Sequence, residues 1–314
     1  MKQLFLFLVF VISFQFVNAQ KNKSEELFIN SFDSLRLSGT LLIPKKKVDK
    51  LPLAIIIAGS GPTDRDGNNM MMTNNSLKYL AEGLAKSKIA SFRYDKRGVG
   101  KSLSASIKET DLRFEDYVND VTALIEFFNK DKRFSEIIII GHSEGSLLGM
   151  IATAQNLKVK KYISIAGVGR TADLILKDQL SQQYGIKNIT PILDSIKAGY
   201  TVKVEGKLKT LFRLSVQPYM FSWFKYNPQE EIKKIFCPIL ILQGDNDIQV
   251  KVKEAELLKQ ANSKADLHII SHMNHIMKLI KGNFNDNLKS YYQEDIPISK
   301  ELVSRISKFI LSNR

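Results

Sequence analysis

The sequence predicts an α/β fold: a mostly parallel central sheet with antiparallel strands at its N-terminal edge, helices on both faces and a helical insertion. Three observations predict it. Apolar runs recur at Leu51 to Ala58, Ile89 to Tyr94, Ile137 to Ile140 and Pro238 to Gln243, and a run without polar alternation reads as a strand covered on both faces. Segments with helical spacing of apolar residues fall between these runs, which is the rhythm of βα units. The runs empty into short turns rich in glycine or acidic residues, at Gly59-Ser60-Gly61-Pro62, Asp95-Lys96-Arg97-Gly98, Gly141-His142-Ser143-Glu144-Gly145 and Gly244-Asp245-Asn246-Asp247.

The elements follow in order. Glu25 to Ile43 alternates and breaks at Phe32-Asp33-Ser34, as a hairpin of edge strands does. Leu51 to Ala58 is a buried central strand. Ser76 to Lys86 carries Leu77, Leu80, Leu84 and Ala85 on one helical face, and Ile89 to Tyr94 is the next strand. A helix at about Phe114 to Phe128 leads into Ile137-Ile138-Ile139-Ile140, four β-branched residues suited to a strand. A helix after Gly145 and a strand at Tyr162 to Ala166 continue the alternation. From about residue 168 to 232 it is interrupted by a helical insertion bearing Phe212, Tyr219, Phe221, Trp223, Phe224 and Tyr226. Such aromatics either wall an acyl pocket or pack a small cap onto the main domain. The strand Pro238 to Gln243, a helix at Val252 to Gln260, a strand at Leu267 to Ile270 and a helix at Lys300 to Leu311 complete the chain.

Lys2, the apolar stretch Leu4 to Val17 and the small residues up to Ala19 have the form of a secretory signal, residues 1–19, cut after Ala19. The stretch is shorter than the roughly 20 apolar residues a crossing needs, so an exported, periplasmic or secreted protein without stable membrane insertion is expected, with an uncleaved anchor as the alternative. Residues 20–314 then form one domain, with a hydrophobic content of 44% that is ordinary for a globular chain. The net charge of +14 comes from lysines scattered along the chain, which suits a solvated basic surface rather than a nucleic-acid groove. Cys237 is the only cysteine, so no intramolecular disulfide forms, and its apolar setting beside Pro238 suits a packed thiol.

The chemistry centres on Gly141-His142-Ser143-Glu144-Gly145, set between the isoleucine strand and a helix-compatible run. A nucleophile at the tip of a sharp strand-to-helix turn needs flanking residues with almost no side chain, which Gly141 and Gly145 supply. A serine hydroxyl needs a base, and the base needs a carboxylate to fix its tautomer. Asp245 and Asp247, at the end of a strand, are candidates for the acid. Of the four histidines, His142 lies inside the turn and His268 inside a strand, while His272 and His275 lie just beyond the last strand and can reach the nucleophile. No spacing among the histidines suggests a metal site.

With these residues in view, the chain resembles the α/β-hydrolase superfamily, in the exported bacterial esterase-like branch related to serine aminopeptidases and monoglyceride lipases. The resemblance rests on Ala58-Gly59-Ser60-Gly61-Pro62 leading into Asp64-Arg65-Asp66-Gly67, on Arg93 to Ser102, on the turn at Ser143, on the Asp247 turn and on Asn274-His275. Ala58 stands where many members have histidine. The resemblance implies a Ser143, His275 and Asp247 triad, with Asp247 favoured over Asp245 by its spacing from Gly244 and His275 over His272 by its flanking residues. It also implies an oxyanion site made of the Ser60 and Glu144 N–H groups, an acyl-enzyme mechanism and no cofactor. The expected substrate is a small-molecule ester, or a short peptide in the manner of an exopeptidase, for which Glu205, Glu230 and Glu231 are candidate anchors of an amino terminus. A noncatalytic binding protein on this fold is the alternative of another class.

Overall fold

The computed structural model describes residues 22–45 and 50–312, so the signal expected at residues 1–19 lies outside them. Eight strands form one sheet: β1 (Lys23–Asn30), β2 (Arg36–Ile43), β3 (Leu51–Ile57), β4 (Ala90–Tyr94), β5 (Phe134–His142), β6 (Val159–Ile165), β7 (Ile239–Gly244) and β8 (Asp266–Ile270). Their order is β1-β2-β4-β3-β5-β6-β7-β8. β2 is antiparallel to β1 and to β4, and every later pairing is parallel. The antiparallel N-terminal edge and the parallel remainder are as the sequence predicts.

Strand periodicity divides the core into two layers. Leu53, Ile55, Ile57, Ile137 and Ile139 face one cluster, with α2 (Phe114–Asn129), α3 (Glu144–Ala154) and α8 (Val252–Ala261) packed on it. Ala54, Ile56, Ile138 and Ile140 face the other, covered by α1 (Ser76–Lys86) and α10 (Lys300–Leu311). Four isoleucines in succession are therefore needed because both faces of β5 are covered. Between β6 and β7 lie α4 (Ala172–Tyr184), α5 (Ile186–Lys197), α6 (Gln217–Phe224) and α7 (Pro228–Lys233), and Ile189, Leu193, Ile196, Phe212, Met220 and Phe224 give α4 to α6 an apolar cluster of their own.

Three elements differ from expectation, the first being β5, which begins at Phe134 rather than Ile137. β6 begins at Val159 rather than Tyr162, because the charged pair Lys160-Lys161 masks its start. Lys161 is buried there and donates to the carbonyls of Phe309 and Ile310 at 3.0 and 2.6 Å, closing the C-terminal end of α10. A short helix, α9 (Phe284–Ser290), lies in a stretch with no apolar periodicity, and Asn283 caps it by accepting from the N–H groups of Asn285 and Asp286.

Candidate active site

The parallel strands point their C-terminal ends to one rim, where α/β sheets collect ligands. Ser60 follows β3, Lys96 follows β4, Ser143 follows β5, Asp247 follows β7 and His275 follows β8. Ser143 has φ 55° and ψ −121°, a conformation that non-glycine residues adopt only under constraint. The constraint is the close passage of β5 and α3 beside β3. A Cβ placed on Gly145 would stand 2.5 Å from the carbonyl oxygens of both Ile57 and Ala58, so only glycine fits. The Ser143 N–H donates to Ile165 at 2.9 Å, fixing the turn to β6.

Asp247 and His275 meet across 28 residues of sequence, with His275 Nδ1 at 2.8 Å from Asp247 Oδ2 and both side chains buried. Gly244 permits the meeting: its Cα lies so close to the Met273 carbonyl that a Cβ would fall 1.9 Å from the oxygen. Asp247 Oδ1 accepts from the N–H groups of Gln249 and Val250 at 2.7 and 2.9 Å, and Oδ2 also accepts from Gln243 Nε2 at 3.1 Å. Burial pushes the Asp247 pKa up, but the His275 ring and those N–H groups outweigh it and hold the carboxyl below its usual range. The neighbouring Asp245 spends Oδ1 on the backbone N–H of His272 at 2.6 Å and so shapes the turn. His272 itself is exposed, and His268 Nδ1 pairs with Arg305 at 2.9 Å on the edge strand. The bond to Asp247 engages Nδ1 and leaves Nε2 as the other ring nitrogen of His275.

The oxyanion candidates lie close by. A Cβ on Gly59 would stand 3.2 Å from Ser143 Cβ, so the Gly59-Ser60 backbone passes directly beside the serine. Ser60 is exposed. Glu144 opens α3, and the first N–H of a helix has no acceptor within it. The charged loop after Ser60 is tied to β4 and the residue that follows it: Arg65 pairs with Asp95 at 2.7 Å and Arg93 with Asp66 at 2.7 Å.

Sequence reasoning passed over the parts played here by Gln243 and Lys96, and named His142 and Tyr219 without these partners. His142 Nε2 donates to the His275 carbonyl at 2.7 Å, with the two rings 4.8 Å apart. Gln243 joins the Asp247 carboxylate to the Val250 carbonyl. Lys96 and Tyr219 both reach the Glu144 carboxylate. The available signals were a lysine at the end of an apolar strand and a carboxylate beside the nucleophile. Cys237, by contrast, fits the packed thiol expected, since burial pushes its pKa up to about 11.

Burial, with the nearby His275 adding to it, pushes the His142 pKa down to about 3. The unfolded chain therefore takes up a proton near pH 6.5 that the folded chain refuses until about pH 3, so stability falls as pH drops through that window. His142→Gln keeps a donor for the His275 carbonyl without titrating. Urea denaturation should show wild type losing about 2 kcal/mol more than this variant between about pH 7 and pH 5; parallel curves for the two proteins would refute the assignment.

Known proteins resemble this chain in sequence and fold. The serine aminopeptidase family, S33, matches residues 70–215, a span that includes the Ser143 turn and ends in the inserted helices. Esterase EstD of Thermotoga maritima is 23% identical over 301 residues, covering 94% of this chain and 69% of its own length. Among solved structures, Est1E from Butyrivibrio proteoclasticus aligns at 18% identity and TM-score 0.60 over 91% of this chain and 97% of its own. The Pyrococcus furiosus esterase Pf2001 aligns at 17% identity and TM-score 0.61 over 92% and 91%. The sheet order and these solved structures agree on the α/β-hydrolase fold, and within it the chain resembles the esterase-like branch related to the serine aminopeptidases.

Proposed function

We propose that the protein hydrolyses carboxylic esters through an acyl-enzyme, with Ser143 as nucleophile, His275 as base and Asp247 as the acid that orients His275. The observation that carries this reading is the strained Ser143 turn beside a buried His275–Asp247 pair at 2.8 Å. Ser143 Oγ bonds to the ester carbonyl carbon as its proton passes to His275 Nε2. The N–H groups of Ser60 and Glu144 hold the oxyanion. Collapse breaks the bond to the alkoxide, which leaves with the proton from His275. Water, deprotonated by His275, then attacks the acyl carbon, and the acid departs as Ser143 regains its proton.

An exopeptidase would need a free carboxylate for the substrate ammonium, and the carboxylates considered for it are already engaged. Glu205 pairs with Lys203 at 3.0 Å, Glu230 with Lys233 at 2.8 Å and Glu231 with Lys234 at 2.8 Å, while Glu144 faces Lys96 at 3.8 Å. The esterase names of EstD, Est1E and Pf2001 favour the same choice. Residues 1–19 support export as the setting of the reaction.

A fluorophosphonate probe should label the protein once, with the adduct on the peptide bearing Ser143, and p-nitrophenyl esters should turn over much faster than aminoacyl arylamides. An adduct on another residue, or no labelling of folded protein, would sink the proposal; faster arylamide turnover would favour the exopeptidase.

A further inference from the structure

Lys96 is a charged side chain without a place in the triad chemistry, yet it is buried at 3% exposure at the same rim. Burying a lysine is costly unless its ammonium is well partnered. Here Nζ donates to the carbonyl oxygen of Gly59, stands 3.8 Å from Glu144 Oε2 and lies 5.8 Å above the Tyr117 ring. The other Glu144 oxygen, Oε1, accepts from the Tyr219 hydroxyl of α6. Burial pulls the Lys96 pKa down and the Glu144 charge opposes that pull.

The Gly59 carbonyl belongs to the same peptide unit as the Ser60 N–H. In a trans peptide these two groups point in opposite directions, so a donor that fixes the carbonyl also aims the N–H. A cation on the carbonyl oxygen further polarises the amide and strengthens its N–H as a donor. The second oxyanion donor is the N–H of Glu144, whose side chain pairs with the same lysine. One buried ion pair thus joins the two residues that flank the reacting carbonyl, and Tyr219 ties that pair to the inserted helices.

We propose that Lys96 is a positioning residue for the oxyanion site, clamping the Gly59–Ser60 peptide from behind and coupled to the second donor through Glu144 and Tyr219. The proposal rests on the oxyanion role given above to Ser60 and Glu144. Its rival is that Lys96 merely neutralises a buried Glu144.

Lys96→Met and the double variant Lys96→Met/Glu144→Gln separate the two, with a p-nitrophenyl ester as substrate and phenylboronic acid as a tetrahedral, oxyanion-like inhibitor. Clamping predicts kcat about 100-fold lower in Lys96→Met, KM within about threefold of wild type, and boronate affinity reduced in parallel with kcat. It also predicts that the double variant, which leaves no buried charge unpaired, recovers thermal stability without recovering kcat. Recovery of kcat to within about threefold of wild type in the double variant would overturn the clamp, as would an unchanged kcat in Lys96→Met. Should Lys96→Met fail to fold, the double variant alone carries the decision. With active wild type, these outcomes bear on the clamp alone; wild type that neither labels nor turns over ester removes the underlying reading and the clamp with it.

Discussion

Ser143→Ala should lower kcat for a p-nitrophenyl ester by about 10⁶-fold, with KM and the thermal midpoint close to those of wild type. The proposed acyl-enzyme route has no alternative once the hydroxyl is gone, because on that reading His275 has no alcohol to deprotonate and only bulk water can attack. The variant should still exceed the uncatalysed rate by about 10³-fold, since the backbone donors and the bound geometry survive. Small loss of stability is expected because alanine leaves unchanged the backbone path that the close passage of Gly145 against Ile57 and Ala58 enforces. Stopped assays with enzyme in excess would measure the residual rate. Turnover within tenfold of wild type would mean that hydrolysis occurs elsewhere on the chain.

Asp247→Asn should lower kcat by about 10⁴-fold. Oδ1 of Asp247 is held by the N–H groups of Gln249 and Val250, so an asparagine keeps its carbonyl there and turns its NH₂ toward His275. That NH₂ would donate to Nδ1, moving the imidazole proton to Nε2, the nitrogen that accepts from Ser143 in the proposed reaction. Asp245→Asn is the control, because its carboxylate holds only the His272 N–H in the turn; its kcat should stay within about tenfold. Equal losses in the two variants would show that the turn, rather than the carboxylate at 247, matters.

The sheet was legible because its strands announce themselves: Ile137 to Ile140 must be covered on both faces, and the hairpin break at Phe32-Asp33-Ser34 lies between β1 and β2. Ser143 stood out because a sharp turn tolerates only glycine at 141 and 145. Choosing between Asp245 and Asp247 needed the resemblance, since two carboxylates two residues apart look alike in sequence. They differ in what the folded turn presents to them, the His272 N–H for the exposed Asp245 and the His275 ring for the buried Asp247. The Lys96–Glu144–Tyr219 chain was not legible. Its members are 48 and 75 residues apart from Glu144, and each has an ordinary reading of its own: a turn lysine, a helix-starting glutamate and a cap aromatic. Only their convergence gives them meaning, and convergence is a tertiary property.

β8 is the last strand of the sheet and pairs with β7 alone, and His275 rides on the segment that leaves it. The nucleophile, by contrast, sits on β5, flanked by β3 and β6. The two halves of the proposed proton exchange therefore have unequal footing, one moored in the middle of the scaffold and the other at its margin. Margins open before middles do, so on warming the imidazole should part from the hydroxyl while most of the fold is still in place.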